Sequence, residues 1–381
     1  MFRIEMLPAG HGDSLLVSYG EPDALHYILI DGGPYYFYAN KSKSKLGKRR
    51  TLTSRLSELV KQGEALELAV ITHIDGDHIE AAVKWLGSAP DALPIGDIWF
   101  NGRHHLEEGW LGVPEGEFLA KLIAEHKLPW NERFAGGPVV CQPDHLVKKT
   151  LRGGMKLTIL SPSPEDLRKL RTEWDTVLEE EKLDTDDPEA ILERLAQNKR
   201  LRPGAGAAGW LGAGIDVDGL AEAKFDEDTT AANGSSIAFL AEYDGKSVLF
   251  TGDARPSTLI AGINQLLQKR NLARLPLDAF KIPHHGSRNN LNQELLEMLE
   301  CRRFLVSTNG SYYRHPDQEA IARIIKFGAY PYSRNSFDKA ELCFNYRKPR
   351  VTVWDDPDLK YRFGYETRFP DQSGAELVVD L

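Results

Sequence analysis

The residues best suited to chemistry lie in one short stretch, residues 72–78, with the sequence THIDGDH. Four side chains that can bind metal ions occur there between a predicted strand and a predicted helix. Side chains two residues apart at a strand end point the same way, so His73 and Asp75 can bind one ion. Asp77 and His78 stand where the chain turns into the helix and can face a second ion. A lone residue of either type would suggest a cap or a surface position, whereas four together favour a metal site.

Further candidate ligands follow other apolar segments. Asp253 ends an apolar strand within a Thr-Gly-Asp turn, a position suited to bridging two ions. His284 and His285 follow a strand of buried type, and adjacent histidines are costly to bury without partners. Asp31 stands at another strand end. His315 lies in a polar loop after the next strand, where a solvated turn is the competing interpretation.

Taken in order along the chain, these motifs resemble those of the metallo-β-lactamase superfamily. More narrowly, they are similar to the soluble hydrolase domain of ComEC-type DNA-uptake proteins, which shares a Gly-x-Gly-Asp-Ser turn, present here at residues 10–14. That domain also shares the patterns His-x-Asp-x-Asp-His, Thr-Gly-Asp and His-His-Gly-Ser. The resemblance implies an α/β fold, namely a four-layer αββα metallo-β-lactamase sandwich with a helical insertion. It also implies that metals are held in loops at one edge of the paired sheets.

Two positions depart from the superfamily pattern. Asp75 replaces the usual second histidine of the cluster, and Asn233 stands where a histidine normally opens the strand that leads to the bridging Asp253. Because oxygen donors replace imidazoles, the expected metal shifts from zinc towards manganese or magnesium. We expect two divalent ions as cofactors, Mn²⁺ or Zn²⁺, with Mg²⁺ as a third option.

The resemblance assigns the candidate ligands to two sites that share one carboxylate. The first site would comprise His73, Asp75 and Asp253, with Asn233 as a further candidate. The second would comprise Asp77, His78, Asp253 and either His284 or His285.

Other residues receive roles around these ions. We predict that His285 completes the second site, while Asp31 and Asp13 orient the ligands through hydrogen bonds. The residues predicted to act in catalysis are Asp77, His284 and His315. In this interpretation, His284 contacts a phosphate oxygen and His315 protonates the leaving oxygen.

A basic and aromatic loop at residues 34–50 is the second clue to function, because it directly follows the strand end at Asp31. Basic side chains interleaved with aromatic ones suit a single-stranded polyanion. A solvated loop whose aromatic residues cover the core is the competing interpretation. The residues predicted to bind nucleic acid are Tyr35, Tyr36, Lys41, Lys43, Lys45, Lys48, Arg49 and Arg50.

The predicted reaction is hydrolysis by two-metal-activated water, and an oxygen-rich two-metal site favours phosphodiesters. The first hypothesis is therefore a nuclease or phosphodiesterase acting on DNA or RNA. A second hypothesis is a hydrolase of another small ester, such as a lactone, a thioester or a phosphorylcholine ester. A third is a binding module with a degenerate, non-catalytic site, motivated by the missing histidine at Asn233.

The elements that must position these residues alternate between strands and helices in two similar halves. Predicted strands are Phe2–Leu7, Ser14–Tyr19, His26–Ile30, Leu66–Thr72, Ser235–Tyr243, Lys246–Phe250, Leu277–Ile282, Arg303–Ser307, Arg350–Trp354 and Glu376–Leu381. Predicted helices are His78–Leu86, Pro256–Lys269, Leu291–Leu299 and Asp317–Phe327.

The predicted domain organisation has three parts. Residues 1–330 form the metallo-β-lactamase-like domain, and residues 331–381 form a C-terminal extension with strands. Residues 163–230 form a helical, acidic insertion. We interpret the insertion as an autoinhibitory lid that a regulatory protein or a protease would open.

Composition bears on the binding partners and the cellular compartment of the protein. The 381 residues carry 47 basic and 56 acidic side chains, for a net charge of −9, which argues against a surface that coats nucleic acid non-specifically. Cys141, Cys301 and Cys343 lie far apart in the sequence and do not form a disulfide framework, so we expect a reducing cytoplasm. The sequence shows no apolar run of the roughly 18 residues that a membrane helix needs, so we expect no membrane partner.

Overall fold

The structure is a computed structural model that describes residues 1–38, 51–88, 93–106, 114–181, 214–328, 339–372 and 374–381. The strands are β1 (Phe2–Met6), β2 (Leu15–Glu21), β3 (Ala24–Ile30), β4 (Leu66–Val70), β5 (Ile98–Trp99), β6 (Lys148–Thr150), β7 (Lys156–Ser161), β8 (Ala238–Tyr243), β9 (Lys246–Phe250), β10 (Leu275–Leu277), β11 (Ala279–Lys281), β12 (Leu299–Cys301), β13 (Arg303–Val306), β14 (Ala340–Phe344), β15 (Tyr365–Arg368) and β16 (Leu377–Asp380). The helices are α1 (Tyr35–Tyr38), α2 (Leu52–Gln62), α3 (Gly76–Ser88), α4 (Pro114–Glu125), α5 (Pro164–Glu181), α6 (Val217–Ala221), α7 (Ala231–Gly234), α8 (Pro256–Arg270), α9 (Gln293–Glu297), α10 (Gln318–Arg323), α11 (Pro349–Thr352) and α12 (Pro357–Phe363).

Two sheets hold most of the strands. The first sheet has the order β16-β1-β2-β3-β4-β5, and the second has the order β15-β14-β13-β11-β9-β8-β7-β6. Within the first sheet, β3, β4 and β5 run parallel to one another. Within the second, β9, β11, β13, β14 and β15 are parallel. In each sheet, therefore, several strands deliver their carboxyl ends to one edge.

Three apolar cores separate four layers. One core lies between the sheets and takes side chains such as Val70 from the first sheet and Phe250 from the second. A second core joins the outer face of the first sheet to α2, α3 and α4. A third joins the outer face of the second sheet to α8, α9 and α10. These layers confirm the predicted αββα sandwich.

Burial on both faces explains why four of the five residues of β4 are apolar, with Glu67 as the exception. Leu68 and Val70 point into the core between the sheets, whereas Leu66 and Ala69 pack towards the helices. A strand covered on both sides loses the alternation of polar and apolar residues. β8 and β9 form a hairpin, and Asp244 (φ 48°) and Gly245 (φ 73°) both adopt the left-handed conformation of a tight hairpin turn.

The segment after residue 330 contributes strands to both sheets. β14 and β15 extend the second sheet beyond β13, and β16 pairs with β1 in the first. The predicted strand Arg350–Trp354 is wrong, because the chain there forms α11 followed by a 3-10 turn. Pro349 begins this helix, and the buried Val351 and Trp354 are three residues apart, which is a helical spacing.

The predicted insertion at 163–230 begins with α5, whose first turns belong to the core. Leu167 and Leu170 are buried against the first sheet, and Asp166 forms an ion pair with Arg255 at 3.4 Å. Arg255 also donates to the carbonyl oxygens of Thr229 and Thr230, which fixes the far end of the segment. Residues 182–213 of the predicted lid lie outside the described residues.

In the parts of the chain that the structure describes, none of the helices combines the length and the apolar character needed to cross a bilayer.

The last strand should be required for stability because it closes the core between the sheets. Leu377 is buried in that core, whereas its neighbour Val378 is half-buried on the other face of β16. We expect Leu377→Ala to lower the free energy of unfolding by about 2–5 kcal/mol in urea denaturation. The control Val378→Ala should lower it by much less, and equal effects of the two variants would contradict this assignment of faces.

Candidate metal centre

The carboxyl ends of the strands bring the predicted motifs together. Asp31 follows β3 and residues 72–78 follow β4, at the same edge of the first sheet because these strands are parallel. Asp253 follows β9 and the turn at residues 283–286 follows β11, at one edge of the second sheet. A backbone hydrogen bond of 2.9 Å from Ile237 to Thr72 connects the two edges.

Two glycines allow these loops to approach closely. A Cβ on Gly12 would lie 1.8 Å from the carbonyl oxygen of Asp77. Gly252 has φ +51°, and a Cβ there would lie 2.9 Å from the side chain of Thr72. Any larger residue at either position would push apart the loops that carry the candidate ligands.

Four histidines surround one carboxylate oxygen at the centre of the site. Each presents its Nε2 atom to Oδ2 of Asp253, and the carboxylate itself is buried. The distances from this oxygen are 3.3 Å to His78, 3.7 Å to His285, 3.8 Å to His284 and 3.9 Å to His73.

Hydrogen bonds at Nδ1 fix the orientation of the two innermost rings. Nδ1 of His78 donates to Oδ2 of Asp31 at 2.8 Å, and Nδ1 of His285 donates to the carbonyl oxygen of Ser307 at 2.9 Å. Both partners can only accept, so the proton of the neutral ring must be on Nδ1. The lone pair of each Nε2 therefore points at the centre, which is the arrangement of a metal-binding histidine.

The third ring is oriented through a hydroxyl group. Thr72 donates its hydroxyl proton to Oδ2 of Asp31 at 2.8 Å, which leaves the Thr72 oxygen as an acceptor for Nδ1 of His73 at 3.0 Å. Thr72 also donates its backbone N–H to Oδ1 of Asp31. One buried aspartate thus orients two histidines, as the sequence analysis predicted for Asp31.

The fourth ring is oriented by an amide held by a second aspartate. Asn290 donates Nδ2 to Oδ2 of Asp228 at 3.1 Å and to the carbonyl oxygen of Asp253 at 3.1 Å. This fixes the Asn290 amide so that its Oδ1 accepts from Nδ1 of His284 at 2.9 Å. Asp228 also accepts from Nδ2 of Asn233 at 2.5 Å and lies 3.5 Å from Nδ1 of His284.

Two further carboxylates flank the histidines. Oδ2 of Asp77 lies 3.3 Å from Nε2 of His285 and is buried. Oδ2 of Asp75 lies 3.7 Å from Nε2 of His73, and its side chain is 44% exposed. Asp75 therefore marks the side of the centre that faces solvent. The structure thus brings the predicted histidine and aspartate ligands of both sets together around Asp253, whereas Asn233 lies apart from them.

The separations fit a divalent metal. Ligand atoms at about 2.0–2.1 Å from a tetrahedral ion are about 3.3 Å from one another. The distances that join His78, Asp253, His285 and Asp77 include 3.2, 3.3 and 3.3 Å. Nε2 of His73 and Oδ1 of Asp253 are buried without a hydrogen-bond partner among the described residues, as expected of atoms that bind an ion.

Asp13 lies behind the ligands. Its carboxylate is within 4.8 Å of the ligand atoms of His78, Asp253 and His285, but it forms a buried ion pair with Nζ of Lys281 at 2.6 Å. Its Oδ1 atom lies 3.4 Å from Nδ1 of His285, on the opposite side of the ring from Asp253. This position suits orientation of His285, the role predicted for Asp13.

The charges of the centre shift its pKa values strongly. Burial alone would lower the pKa of His285, but the carboxylates of Asp253 and Asp13 raise it to about 9. For Asp253, burial acts in the opposite direction to the nearby imidazoles, and His78 and His285 hold its pKa well below the ordinary value. Both shifts have the same cause, which is the attraction between the buried carboxylates and the imidazoles that face them.

The turn after β11 is strained. His284 (φ 47°) and His285 (φ 53°) are consecutive non-glycine residues in the left-handed region, and Asp31 (φ 55°) shares this conformation. Such residues persist only where the surrounding structure determines them, and they concentrate at functional sites. This backbone conformation directs the rings of His284 and His285 towards Asp253.

The remaining predicted site residues lie around this centre. Oδ1 of Asn233 has no hydrogen-bond partner among the described residues, and Nδ2 is 3.3 Å from Nδ1 of His284, on the far side of that ring. The His315 ring lies 5.1 Å from the His284 ring. Burial lowers the pKa of His315, and its role as an acid stays a prediction.

Only the start of the basic and aromatic loop is described. The backbone N–H of Tyr35 donates to Oε2 of Glu80 on α3 at 2.8 Å, and Tyr36 is exposed. The other residues predicted to bind nucleic acid, at positions 41, 43, 45, 48, 49 and 50, lie outside the described residues.

Sequence reasoning missed Asp228, Asn290 and Lys281. Asp228 belongs to an acidic run that we interpreted as the end of a lid. Asn290 lies six residues after His284, and no known sequence pattern predicts a hydrogen bond between these two side chains. Lys281 offered a signal, because a lysine inside the apolar strand β11 requires a buried acidic partner.

Metal binding should release protons and strengthen as the pH rises. The unfolded His285 has an ordinary pKa of about 6.5, so its raised folded pKa stabilises the metal-free protein fully below that value. This stabilisation is lost as the pH rises through about 9. A metal must displace the proton, so Mn²⁺ affinity should increase up to about tenfold per pH unit between about pH 6 and pH 8.

Calorimetric titration in buffers of different ionisation enthalpy would count the released protons. We expect about one or more per protein at neutral pH. His145→Gln, at an exposed histidine, is the control and should leave this number unchanged. An affinity that does not depend on pH would contradict the protonated centre.

Asp228 should control the position of His284. In Asp228→Asn, one of the two acceptor oxygens becomes an NH₂ group, so either the Asn233 and Asn290 amides or the Thr230 N–H lose their acceptor. His284 also loses the negative charge 3.5 Å from its Nδ1, so its ring is held less firmly. We expect a loss of metal affinity of about 10–100-fold. The matched control is Glu227→Gln, at the neighbouring carboxylate, which accepts from the backbone of Ser257. Equal affinities of the two variants would refute a positioning role for Asp228.

Comparison with known proteins finds similarity in structure alone. No protein-family model matches the chain, and no curated protein matches it. Three similar solved structures are CmlA, a diiron beta-hydroxylase from Streptomyces venezuelae (13% identity, TM-score 0.42), the metallo-beta-lactamase fold protein YhfI from Bacillus subtilis (9% identity, TM-score 0.38) and a long form RNase Z from yeast (10% identity, TM-score 0.32). These matches cover 100%, 100% and 81% of this chain and 54%, 100% and 37% of the respective structures. The chain thus spans about half the length of CmlA.

Proposed function

We propose that the protein is a metal-dependent hydrolase of phosphodiesters and that its substrate is nucleic acid. The observation that carries this proposal is the convergence of four Nε2 atoms on Oδ2 of Asp253. Asp75 and Asp77 add carboxylates on two sides of this group. Together they can hold two divalent ions that share Asp253. The finer likeness to the ComEC-type nuclease domain stays a prediction.

The donor set suits hydrolysis. Bound divalent ions would lower the pKa of a water molecule and polarise a phosphoryl oxygen. The protein holds the ligands rigidly for that purpose, since the Nδ1 atoms of His78 and His285 are each engaged by a fixed acceptor. His284 and Asp75 are the partly exposed members of the group, so a substrate would approach from their side.

Bound ions would favour an anionic substrate through direct contact. A phosphoryl oxygen can bind a divalent ion, which neutralises the charge that develops on phosphorus during hydrolysis. The partly exposed His284 and Asp75 mark the side from which such an oxygen would approach. A neutral lactone or thioester brings no negative oxygen to the ions.

An assay with loaded protein tests the proposal. The protein with Mn²⁺, Zn²⁺ or Mg²⁺ is incubated with single-stranded DNA, duplex DNA, RNA and bis-p-nitrophenyl phosphate. We expect cleavage, and Asp253→Asn should reduce it about a hundredfold or more because the shared ligand is lost. Asp144→Asn changes an exposed carboxylate and should cleave at the original rate.

The possible outcomes separate the hypotheses. Hydrolysis of lactones or thioesters without cleavage of phosphodiesters would favour a different ester hydrolase on this scaffold. Metal binding without hydrolysis of any ester would favour a binding module. Equal cleavage by Asp253→Asn and the unaltered protein would reveal a contaminating nuclease.

A further inference from the structure

A row of four aromatic rings lies beside the metal centre, and one of them reaches the surface. The loop after β13 carries Tyr312, Tyr313 and His315, and the loop after β1 carries His11. His315 and Tyr313 have ring centroids 6.1 Å apart with an angle of 24° between their planes. Tyr313 meets Tyr312 edge-on at 4.5 Å, and His11 stacks on Tyr312 at 5.0 Å.

The row begins at a candidate ligand. The His315 ring is 5.1 Å from the His284 ring, with an angle of 68° between the planes. Burial and then the charges of Asp77 and Asp75 raise the pKa of the Tyr313 hydroxyl, so this ring lies within electrostatic range of the centre. The row therefore runs beside the centre and is not a separate surface patch.

Within the row, Tyr313 is the ring that faces solvent. Tyr313 is 49% exposed, whereas His11 is buried and Tyr312 and His315 are half-buried. Burial lowers the pKa of His11 to about 4, so its ring is neutral at pH 7 and packs as an uncharged plane. Arg314, next to Tyr313 in the chain, is exposed.

Hydrogen bonds hold the loop in place. Asn309 donates its backbone N–H to the carbonyl oxygen of Gly10 at 2.7 Å, and Gly10 donates to the Tyr346 hydroxyl at 2.7 Å. Thr308 donates its backbone N–H to Oδ1 of Asn345 at 2.9 Å. The rings thus form a surface that is organised before any ligand arrives, which reduces the entropy lost on binding.

We propose that this row is a stacking shelf, with Tyr313 as its platform, for one nucleobase next to the scissile phosphodiester. The inference rests on the proposed function and names its substrate more closely. A nucleobase stacked on Tyr313, which is two ring contacts away from His284, would have the centre within reach of its phosphate, and the exposed Arg314 can contact the neighbouring phosphate. A base within a duplex is already stacked on both faces, so the proposed substrate is a nucleic acid with unpaired bases.

The hydroxyl of Tyr313 offers a competing role, as a proton donor to the leaving group. The two roles differ in which atoms of Tyr313 are required. Stacking needs the ring, and proton donation needs the oxygen. Tyr313→Phe keeps the ring and removes the oxygen, whereas Tyr313→Ala removes both.

Two chromogenic esters with the same leaving group isolate the contribution of the base. Thymidine 5′-(p-nitrophenyl phosphate) carries a base, and methyl p-nitrophenyl phosphate carries none. For the thymidine ester, Tyr313→Ala should raise KM about 5- to 150-fold, the range expected for one stacked base. For the methyl ester, kcat/KM should change by less than about twofold, and Tyr313→Phe should resemble the unaltered protein on both esters. Tyr361→Ala, at an exposed tyrosine of α12, is the control.

Each result supports or overturns the shelf. Equal losses on the two esters, or an equal loss in Tyr313→Phe, would overturn it. Calorimetry with thymidine 5′-monophosphate and methyl phosphate decides the matter even if neither ester is hydrolysed. The metal-loaded protein should bind the nucleotide more tightly, and Tyr313→Ala should remove this preference. A missing preference refutes the shelf, whereas missing hydrolysis with the preference intact refutes the proposed reaction alone.

Discussion

The placement of one carboxylate among four imidazoles is the constraint on which the site depends. Each histidine around Asp253 uses Nδ1 for a hydrogen bond, so that all four Nε2 atoms meet at the centre. Buried lone pairs and a buried carboxylate at this spacing repel one another unless positive charge lies between them. The raised pKa of His285 reflects this requirement for positive charge at the centre. Metal ions can supply the same charge.

Holding this centre requires support from the surrounding structure. Asp13 lies behind His285 and is neutralised by the buried Lys281, a pair that would be unstable if either partner were removed. Arg323 is buried on α10 and donates to the carbonyl oxygens of residues 221, 223, 288 and 291. It thereby fastens the two segments that lead to Asp228 and Asn290. The strained turn at His284 and His285 is tolerated because these groups fix it from several sides.

The sequence was informative wherever a ligand sits directly at the end of a strand. His73, His78 and Asp253 could be predicted because dense acidic and imidazole groups at strand ends have few structural explanations. The sandwich followed from the resemblance and from alternating strands and helices. The partners at Nδ1 could not be predicted, because the carbonyl of Ser307 and the amide of Asn290 become neighbours of the histidines only through the tertiary fold. The strand prediction for residues 350–354 was wrong for a similar reason. The β-branched and aromatic residues there form a buried helical face, and the local pattern does not distinguish such a face from a strand.

Recognition of a polyanion by a chain with net charge −9 requires a local source of attraction. In the proposed two-ion state, the ions themselves are that source, because a phosphoryl oxygen can bind them directly. Tyr313 adds a contribution that does not depend on charge, since stacking on an uncharged ring is insensitive to the surrounding acidic surface. A substrate held by both would have its phosphate fixed by the ions and its base fixed by the shelf. Specificity for unpaired nucleic acid would then arise from the distance between these two fixed points rather than from a broad basic surface.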